Sequence, residues 1–223
     1  MATRIEGSTR ATHEVPFTLL HPGGDAPVPL VIALHGMGHG PEHMQRAMQP
    51  LLDGPWAWLF PRGLWPYEVR KAGGITIGHA WYMFDGDQGR LRASMEYAAA
   101  HLCALHDEVR ARVALSRTAL VGFSQGGYLA GYAGPAHAGR FAAAASIAGR
   151  IKHEFLEVPA PVALAQFHGA RDAVVRAAAA REAAEKCRAL GFADVTYFED
   201  PQAGHEISPP ILEALGNWLR RVL

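Results

Sequence analysis

The residues best suited to chemistry lie in the segment Gly122–Phe123–Ser124–Gln125–Gly126, which fits the pattern G-x-S-x-G. In this pattern a serine stands at a sharp turn between a strand and a helix, and glycines flank it because side chains would collide there. The turn holds the hydroxyl above the carboxyl-terminal edge of a sheet, where it can attack an acyl carbonyl. The apolar run 119–121 precedes the segment, and small residues follow it, as a closely packed helix requires. We therefore take Ser124 as the candidate nucleophile; the alternative is a glycine-rich turn with an unreactive serine.

A serine hydroxyl needs a neighbouring base, and candidates follow Ser124 in a characteristic order. Serine nucleophiles of the α/β-hydrolase type are followed in the chain by an acid and then by a histidine. Asp172 comes just after the apolar segment 161–168, and His205 lies between the last predicted strand and the last predicted helix. Both positions are at the carboxyl ends of predicted strands, so they fall on the same edge of the sheet as Ser124. This order predicts that His205 activates Ser124 and that Asp172 orients His205.

Other residues could take the part of the acid. Glu199, Asp200 and Glu206 are close to the histidine in the sequence, but such neighbours rarely align a carboxylate with the imidazole. Asp172 could also serve as the N-cap of a helix that begins at Ala173. Asp172 remains the predicted acid because of its place after a strand.

The chain contains twelve histidines, so a histidine alone carries little information. His39 and His43 have a helical spacing that would suit a metal ion, but no further ligands follow at suitable spacing, and no metal site is predicted. His35 precedes Gly36 after a predicted strand and is interpreted as shaping that loop. The histidines interpreted as surface residues are His101, His137 and His153.

Acyl transfer also requires donors for the oxyanion that develops on the substrate. The first predicted donor is the backbone N–H of Gln125, the residue after the nucleophile. The second should come from the loop Leu34–His35–Gly36–Met37–Gly38, whose glycines let the backbone approach a substrate, and the Met37 N–H is the candidate. Because both donors are backbone groups, the side chains of Gln125 and Met37 are expected to contribute little.

The segments that must position these residues alternate between strand-like and helix-like patterns. This alternation is typical of an α/β fold with a mainly parallel sheet and helices on both faces. Predicted strands cover residues 13–20, 28–34, 56–60, 118–123, 141–147, 161–168 and 195–198. Predicted helices cover residues 41–48, 125–134 and 173–190, and two more follow caps at Ser94 and Ser208. A chain of 223 residues with this pattern is expected to form one domain, 1–223.

Residues 61–90 form a long stretch without a regular pattern, rich in glycine and aromatic residues. Structureless stretches of this length inside a compact domain are typical of lids and binding loops. We therefore predict a substrate-binding region whose aromatic side chains line an acyl or alcohol pocket. The alternative is a small satellite core under the loop. The predicted pocket residues are Trp65, Tyr67, Trp81, Tyr82 and Phe84.

Composition limits the classes of partner. Twenty-one basic residues balance twenty-one acidic ones, so no overall field attracts nucleic acid or anionic lipid. The first ten residues lack the apolar core of a secretory signal, and no run of 18 apolar residues is present to span a bilayer. Two distant cysteines, Cys103 and Cys187, do not form a disulfide framework and suit a reducing compartment. We therefore expect a cytoplasmic protein that neither binds nucleic acid nor inserts into membranes.

Four ordered motifs resemble those of the phospholipase/carboxylesterase family, which includes bacterial carboxylesterases and acyl-protein thioesterases. They are Leu34–Gly38, the run G-F-S-Q-G-G from Gly122, His168–Gly169 with Asp172, and Gly204–Ile207. The resemblance implies a cytosolic α/β-hydrolase with a Ser-Asp-His triad, no metal or organic cofactor, and often a homodimer. The chain departs from the family pattern at His39, at Trp81–Asp85 and at Arg176.

The expected reaction is hydrolysis of carboxylic esters or thioesters of small or medium acyl groups through an acyl-enzyme. Two alternatives stay open at this point. The same triad could transfer the acyl group to an alcohol or amine, or the chain could be a non-catalytic ligand-binding relative of the same fold.

Overall fold

The computed structural model describes residues 14–157 and 159–223. Within these residues the chain forms nine strands, β1 to β9 in chain order, at Phe17–Leu20, Val28–Leu34, Ala57–Pro61, Trp65–Lys71, Gly74–Ala80, Leu115–Phe123, Ala143–Ile147, Ala163–Gly169 and Val195–Asp200. Five α-helices, α1 to α5, lie at Pro41–Ala47, Gln88–Arg110, Gln125–Ala136, Ala177–Ala189 and Pro209–Val222.

Seven of the strands form one central sheet in the order β1-β3-β2-β6-β7-β8-β9. Every neighbouring pair is parallel except β1 with β3, which is antiparallel. The predicted mainly parallel α/β sheet is therefore confirmed. Because the parallel strands run in one direction, the segments that follow β2, β6, β8 and β9 meet at the same edge.

Helices cover both faces of the sheet. One apolar cluster joins the sheet to α2, α3 and α4 through residues such as Met95, Leu129 and Cys187. The opposite cluster joins it to α1 and α5 through residues such as Met44 and Trp218. The inner strands β2, β3, β7 and β8 are buried on both faces, which explains why their sequences are largely apolar. No helix in the described residues is both long and apolar enough to cross a bilayer.

The stretch 61–90 is not structureless, which corrects the sequence-based expectation. Strands β4 and β5 pair antiparallel from Trp65 with Ala80 to Lys71 with Gly74, so the turn consists of two residues. Most side chains of this hairpin are exposed, but both strands alternate in sequence: Glu68 separates Tyr67 from Val69, and Thr76 separates Ile75 from Ile77. This period of two is typical of strands, and together with the glycines Gly73 and Gly74 at the turn it was the available signal for a hairpin.

Helices α2 and α4 begin at other residues than predicted. The side chains that were considered as their caps, Ser94 and Asp172, form hydrogen bonds elsewhere. Helix α2 begins at Gln88, where the Asp87 carboxylate accepts the Arg90 N–H at 2.8 Å. Ser94 lies inside this helix, and its hydroxyl accepts the Met83 N–H at 3.1 Å. Helix α4 begins at Ala177 rather than 173, after a loop that the Asp172 side chain holds. Strand β1 begins at Phe17, and residue 13, predicted as its start, lies outside the described residues.

Candidate active site

Ser124 stands at the sharp turn between β6 and α3 with an unusual backbone conformation. Its φ of 52° and ψ of −116° are sparsely populated by residues with a side chain and cost about 1–3 kcal/mol. Neighbouring glycines allow the turn: a Cβ on Gly122 would lie 2.0 Å from the Gly126 carbonyl oxygen. The Ser124 N–H donates to the Ile147 carbonyl on β7 at 2.8 Å, which fixes the turn against the sheet. The structure therefore presents the hydroxyl at the edge where the parallel strands end.

His205 lies between Ser124 and Asp172 and contacts both. Its Nε2 is 3.0 Å from Ser124 Oγ, and its Nδ1 is 2.8 Å from Asp172 Oδ2. Because a carboxylate only accepts, Nδ1 carries the proton in this arrangement and Nε2 is free to accept the hydroxyl proton. The side chain is 21% exposed, so the imidazole is reachable from solvent while its acidic partner is fully buried. These three groups can carry out proton transfer from a hydroxyl to a base.

Asp172 uses its two carboxylate oxygens for different purposes. Oδ1 accepts the backbone N–H groups of Val174 and Val175, each at 2.8 Å, and Oδ2 contacts His205. Burial alone would raise the pKa of Asp172, but the hydrogen bonds from His205 and the two amides together lower it. The carboxylate therefore stays ionised beside the imidazole. It does not cap α4, whose N-cap is Arg176.

The other three carboxylates near His205 in the sequence have different partners. Glu199 forms an ion pair with Arg181 at 2.7 Å. Asp200 accepts the hydroxyl of Ser208 at 2.6 Å. Glu206 accepts the N–H of a neighbouring glycine at 3.4 Å. Sequence proximity to the histidine therefore does not bring these carboxylates to its Nδ1.

A second histidine supports Asp172, and sequence reasoning missed it. His168, at the end of β8, is fully buried, and its Nε2 lies 2.7 Å from the Val175 carbonyl and 3.2 Å from Asp172 Oδ2. Both neighbours are acceptors, so Nε2 carries a proton that they share. This N–H holds the loop after β8 in place around the carboxylate. The available signal was the position of His168 at the end of a buried strand, directly before Gly169.

The loop after β2 brings Met37 beside Ser124. The His35 side chain fixes the start of this loop. The His35 ring is fully buried, with Nδ1 2.8 Å from the Gly36 carbonyl and Nε2 accepting the Gly63 N–H at 2.9 Å. Burial lowers the pKa of His35 to about 4, so the ring is neutral near pH 7. His35 therefore shapes this loop, as interpreted from the sequence.

The Gln125 side chain does more than the sequence suggested. Its Oε1 accepts the Trp81 N–H and its Nε2 donates to the Tyr82 carbonyl, both at 2.9 Å. The indole N–H of Trp81 in turn donates to the His35 carbonyl at 2.8 Å. The residue after the nucleophile is thereby tied both to the end of the hairpin and, through Trp81, to the loop that holds Met37. This positioning role of the Gln125 side chain was not predicted from the sequence.

Two cavities meet at Ser124 and Met37. The first has a volume of about 480 Å³, and its lining includes Tyr82, Phe84, Leu91, Tyr128, Arg150 and Lys152. The second has a volume of about 600 Å³, and its lining includes Gly36, Phe123, Val174, His205 and Ile207. Met37 is 50% exposed between them. An acyl compound with its carbonyl at Ser124 can therefore place one part in each cavity.

The five predicted pocket aromatics fall into two groups. Tyr82 and Phe84 line the first cavity, next to Ser124. Trp81 is fully buried in the core. Trp65 packs against Tyr97, with ring centroids 6.0 Å apart, and Tyr67 lies in β4 of the hairpin. The structure thus places two of the five at the candidate pocket and three elsewhere.

His39 and His43, the pair weighed as metal ligands, stack on each other with ring centroids 3.9 Å apart. Across residues 14–157 and 159–223, no group of three or more His, Cys, Asp or Glu side chains is arranged to hold a metal ion.

Comparison with known proteins identifies the family and similar folds. Residues 17–223 match the family model described as Phospholipase/Carboxylesterase. The structure is similar to esterase PE8, with 26% identity, a TM-score of 0.79 and coverage of 94% of this chain and 99% of that one. Two more distant likenesses show the fold. One is acyl-protein thioesterase 2 of Zea mays, with 21% identity, a TM-score of 0.71 and coverage of 92% and 98%. The other is the carboxylesterase of Bacillus cereus, with 15% identity, a TM-score of 0.73 and coverage of 94% and 95%. The comparison with curated protein sequences found no match.

Proposed function

Because the chain belongs to the phospholipase/carboxylesterase family and is an enzyme of the serine-esterase type, we propose that Ser124, His205 and Asp172 are its catalytic residues. The proposed reaction is hydrolysis of carboxylic esters or thioesters of small or medium acyl groups. The observation that carries the proposal is the unbroken series of contacts from Ser124 Oγ through both ring nitrogens of His205 to Asp172.

The proposed mechanism has two steps. Ser124 Oγ attacks the acyl carbonyl while His205 Nε2 takes the hydroxyl proton, and Asp172 stabilises the imidazolium that results. The backbone N–H groups of Gln125 and Met37 hold the oxyanion. His205 then gives its proton to the departing alcohol or thiol, which leaves an acyl-enzyme. Water, activated by His205, attacks the acyl-enzyme in the same way and releases the acid.

The two cavities divide the substrate between them under this mechanism. The leaving group must lie within reach of His205 Nε2 to receive a proton, which favours the cavity lined by His205 and Ile207. The acyl group then occupies the other cavity, against Tyr82, Phe84 and Leu91. We call this cavity, the one of about 480 Å³, the acyl cavity. Its apolar walls suit a methylene chain.

A reducing compartment such as the cytoplasm is part of the proposal. Cys103 and Cys187 are both free and buried, on α2 and α4. Burial raises the pKa of Cys187 to about 11, so its thiol is neutral and unreactive.

Turnover of p-nitrophenyl acetate and butyrate tests the nucleophile. Ser124→Ala should lower kcat/KM by at least about 10³-fold, because the acyl-enzyme cannot form. Ser116→Ala, which removes an exposed hydroxyl on β6, is the matched control and should retain wild-type activity. A fluorophosphonate probe should label the wild type and the control but not Ser124→Ala. Residual activity of more than a few per cent in Ser124→Ala, or labelling of that variant, would refute the assignment.

A further inference from the structure

The acyl cavity has a positively charged wall. Among the described residues that line it, the ionised side chains are Arg150 and Lys152, and no carboxylate is among them. The rest of the lining is apolar or neutral, with Phe84 and Leu91 beside Ser124. A cavity that served only an uncharged acyl chain would gain nothing from two cations, since burial of each requires compensation.

Lys152 is unusually buried for a lysine and keeps hydrogen-bonding capacity. Its side chain is 8% exposed, and Nζ donates to Gln88 Oε1 at 2.8 Å. The nearest carboxylate oxygen, Glu154 Oε1, is 3.8 Å away, too far for a hydrogen bond. The ammonium also lies 4.8 Å from the ring centroid of Phe155. An ammonium has three N–H donors, so these contacts leave donors for a further acceptor.

Arg150 belongs to the same cluster but is already paired. Its Nη1 contacts Glu154 Oε1 at 2.7 Å. Two cations therefore share one carboxylate, and the cluster of Arg150, Lys152 and Glu154 carries a net charge of one positive unit. A single negative charge from a ligand would balance it, whereas a phosphate with nearly two charges would not.

We propose that the enzyme prefers acyl groups that carry a carboxylate at the end remote from the ester, that is, half-esters of dicarboxylic acids. This inference rests on the proposed function and names its substrate class. The scissile carbonyl lies at Ser124, the methylene chain lies against Leu91 and Phe84, and the remote carboxylate binds Lys152 with Arg150 beside it. Lys152 and Arg150 are thus specificity-determining residues, with no part in proton transfer.

The test compares monomethyl adipate with methyl hexanoate, which differ by a terminal carboxylate in place of a methyl group. Release of methanol gives kcat/KM for each ester, and the ratio of the two values is the measure. A hydrogen bond to a charged group changes binding by a factor of about ten to one hundred. The wild-type kcat/KM for monomethyl adipate should therefore exceed that for methyl hexanoate by more than about tenfold. The preference should lie mainly in KM and should weaken at high salt. A ratio of one or less in the wild type would overturn the proposal.

Substitutions show whether the two cations cause the preference. Lys152→Met keeps an unbranched side chain, one atom shorter and without charge, and should lower the ratio by about tenfold. Arg150→Met should lower the ratio by a smaller factor, because this guanidinium already contacts Glu154. The control is Arg110→Met, which removes an exposed cation in the last turn of α2, about five turns from Leu91, and should leave the ratio unchanged. An equal fall for both esters in Lys152→Met would indicate a structural role and contradict the proposal.

Binding separates this inference from the proposed function. Calorimetry with Ser124→Ala measures affinity without turnover, and this variant should bind monomethyl adipate at least about tenfold more tightly than methyl hexanoate. Adding Lys152→Met to this variant should remove the difference. If the wild type hydrolyses neither these esters nor p-nitrophenyl butyrate but this binding preference holds, the proposed function fails and the anion site stands. If methyl hexanoate is hydrolysed but Ser124→Ala shows no preference in binding, the anion site fails alone.

Discussion

His35 should make the stability of this protein depend on pH. Its ring is fully buried, and Nε2 accepts the Gly63 N–H at 2.9 Å. Protonation of Nε2 would remove that acceptor, leave the Gly63 N–H unpaired and bury a positive charge. The pKa of His35 is therefore lowered from 6.5 to about 4, and burial is the largest cause of this shift. The contact between Nδ1 and the Gly36 carbonyl opposes it only in part.

The direction and size of this pH dependence follow from how the folded and unfolded states bind protons. The unfolded chain binds a proton at His35 near pH 6.5, whereas the folded protein binds it only near pH 4. Between these values the unfolded state holds more protons, so the free energy of unfolding falls as the pH falls. The stabilisation is complete above pH 6.5 and is lost on the way to pH 4. The pKa difference, 6.5 minus about 4, corresponds to about 3 kcal/mol at about 1.4 kcal/mol per pH unit.

Urea unfolding followed by tryptophan fluorescence, from about pH 7.5 to about pH 4, measures this effect. His35→Gln retains a donor and an acceptor but does not titrate. Because the amide cannot reproduce both contacts of the imidazole ring, the variant should be less stable than the wild type by about 1–3 kcal/mol at neutral pH. The difference between the two proteins should then shrink by about 3 kcal/mol toward pH 4, and can reverse in sign. Groups that titrate in both proteins cancel from this difference.

The matched control replaces an exposed histidine. His21→Gln lies in the loop after β1 and should change the free energy of unfolding by less than about 0.5 kcal/mol at every pH. A difference between the wild type and His35→Gln that stays constant over the whole range would refute the reasoning. Such a result would mean that His35 titrates alike in the folded and unfolded states.

Three further substitutions test the site and its support. Asp172→Asn should lower kcat for p-nitrophenyl butyrate by about 10³–10⁴-fold, because an amide favours the wrong imidazole tautomer; a loss below about tenfold would contradict its role. Gln125→Ala should lower the free energy of unfolding by about 1–3 kcal/mol, because the Trp81 N–H and the Tyr82 carbonyl lose their partners; unchanged urea unfolding would contradict this. Ser208→Ala should cost about 1–2 kcal/mol in the same assay, because its hydroxyl caps α5; a change below about 0.3 kcal/mol would argue against that cap.

Features encoded by neighbouring residues were readable from the chain alone. The apolar runs of β2 and β6 identify buried strands, and the buried stripe of α5 follows a helical period after a Ser208 cap, as predicted. The pattern around Ser124 predicts a tight strand-to-helix turn, because only small flanking residues fit there. The order of strands and helices predicted the mainly parallel sheet. The parallel strands in turn predicted that Ser124, Asp172 and His205 share one edge of it.

Contacts between distant segments could not be read in this way, since they depend on how the elements pack. Lys152 lies 64 residues from Gln88, Gln125 lies 44 from Trp81, and His35 lies 28 from Gly63. The geometry of the assembled sheet determines which side chains meet across such distances. No local period or motif in the sequence records that geometry. The placement of Trp81 in the core and the cationic wall of the acyl cavity belong to this class. Chain order thus predicted which groups share an edge, and packing settled their hydrogen bonds and the cavities that surround them.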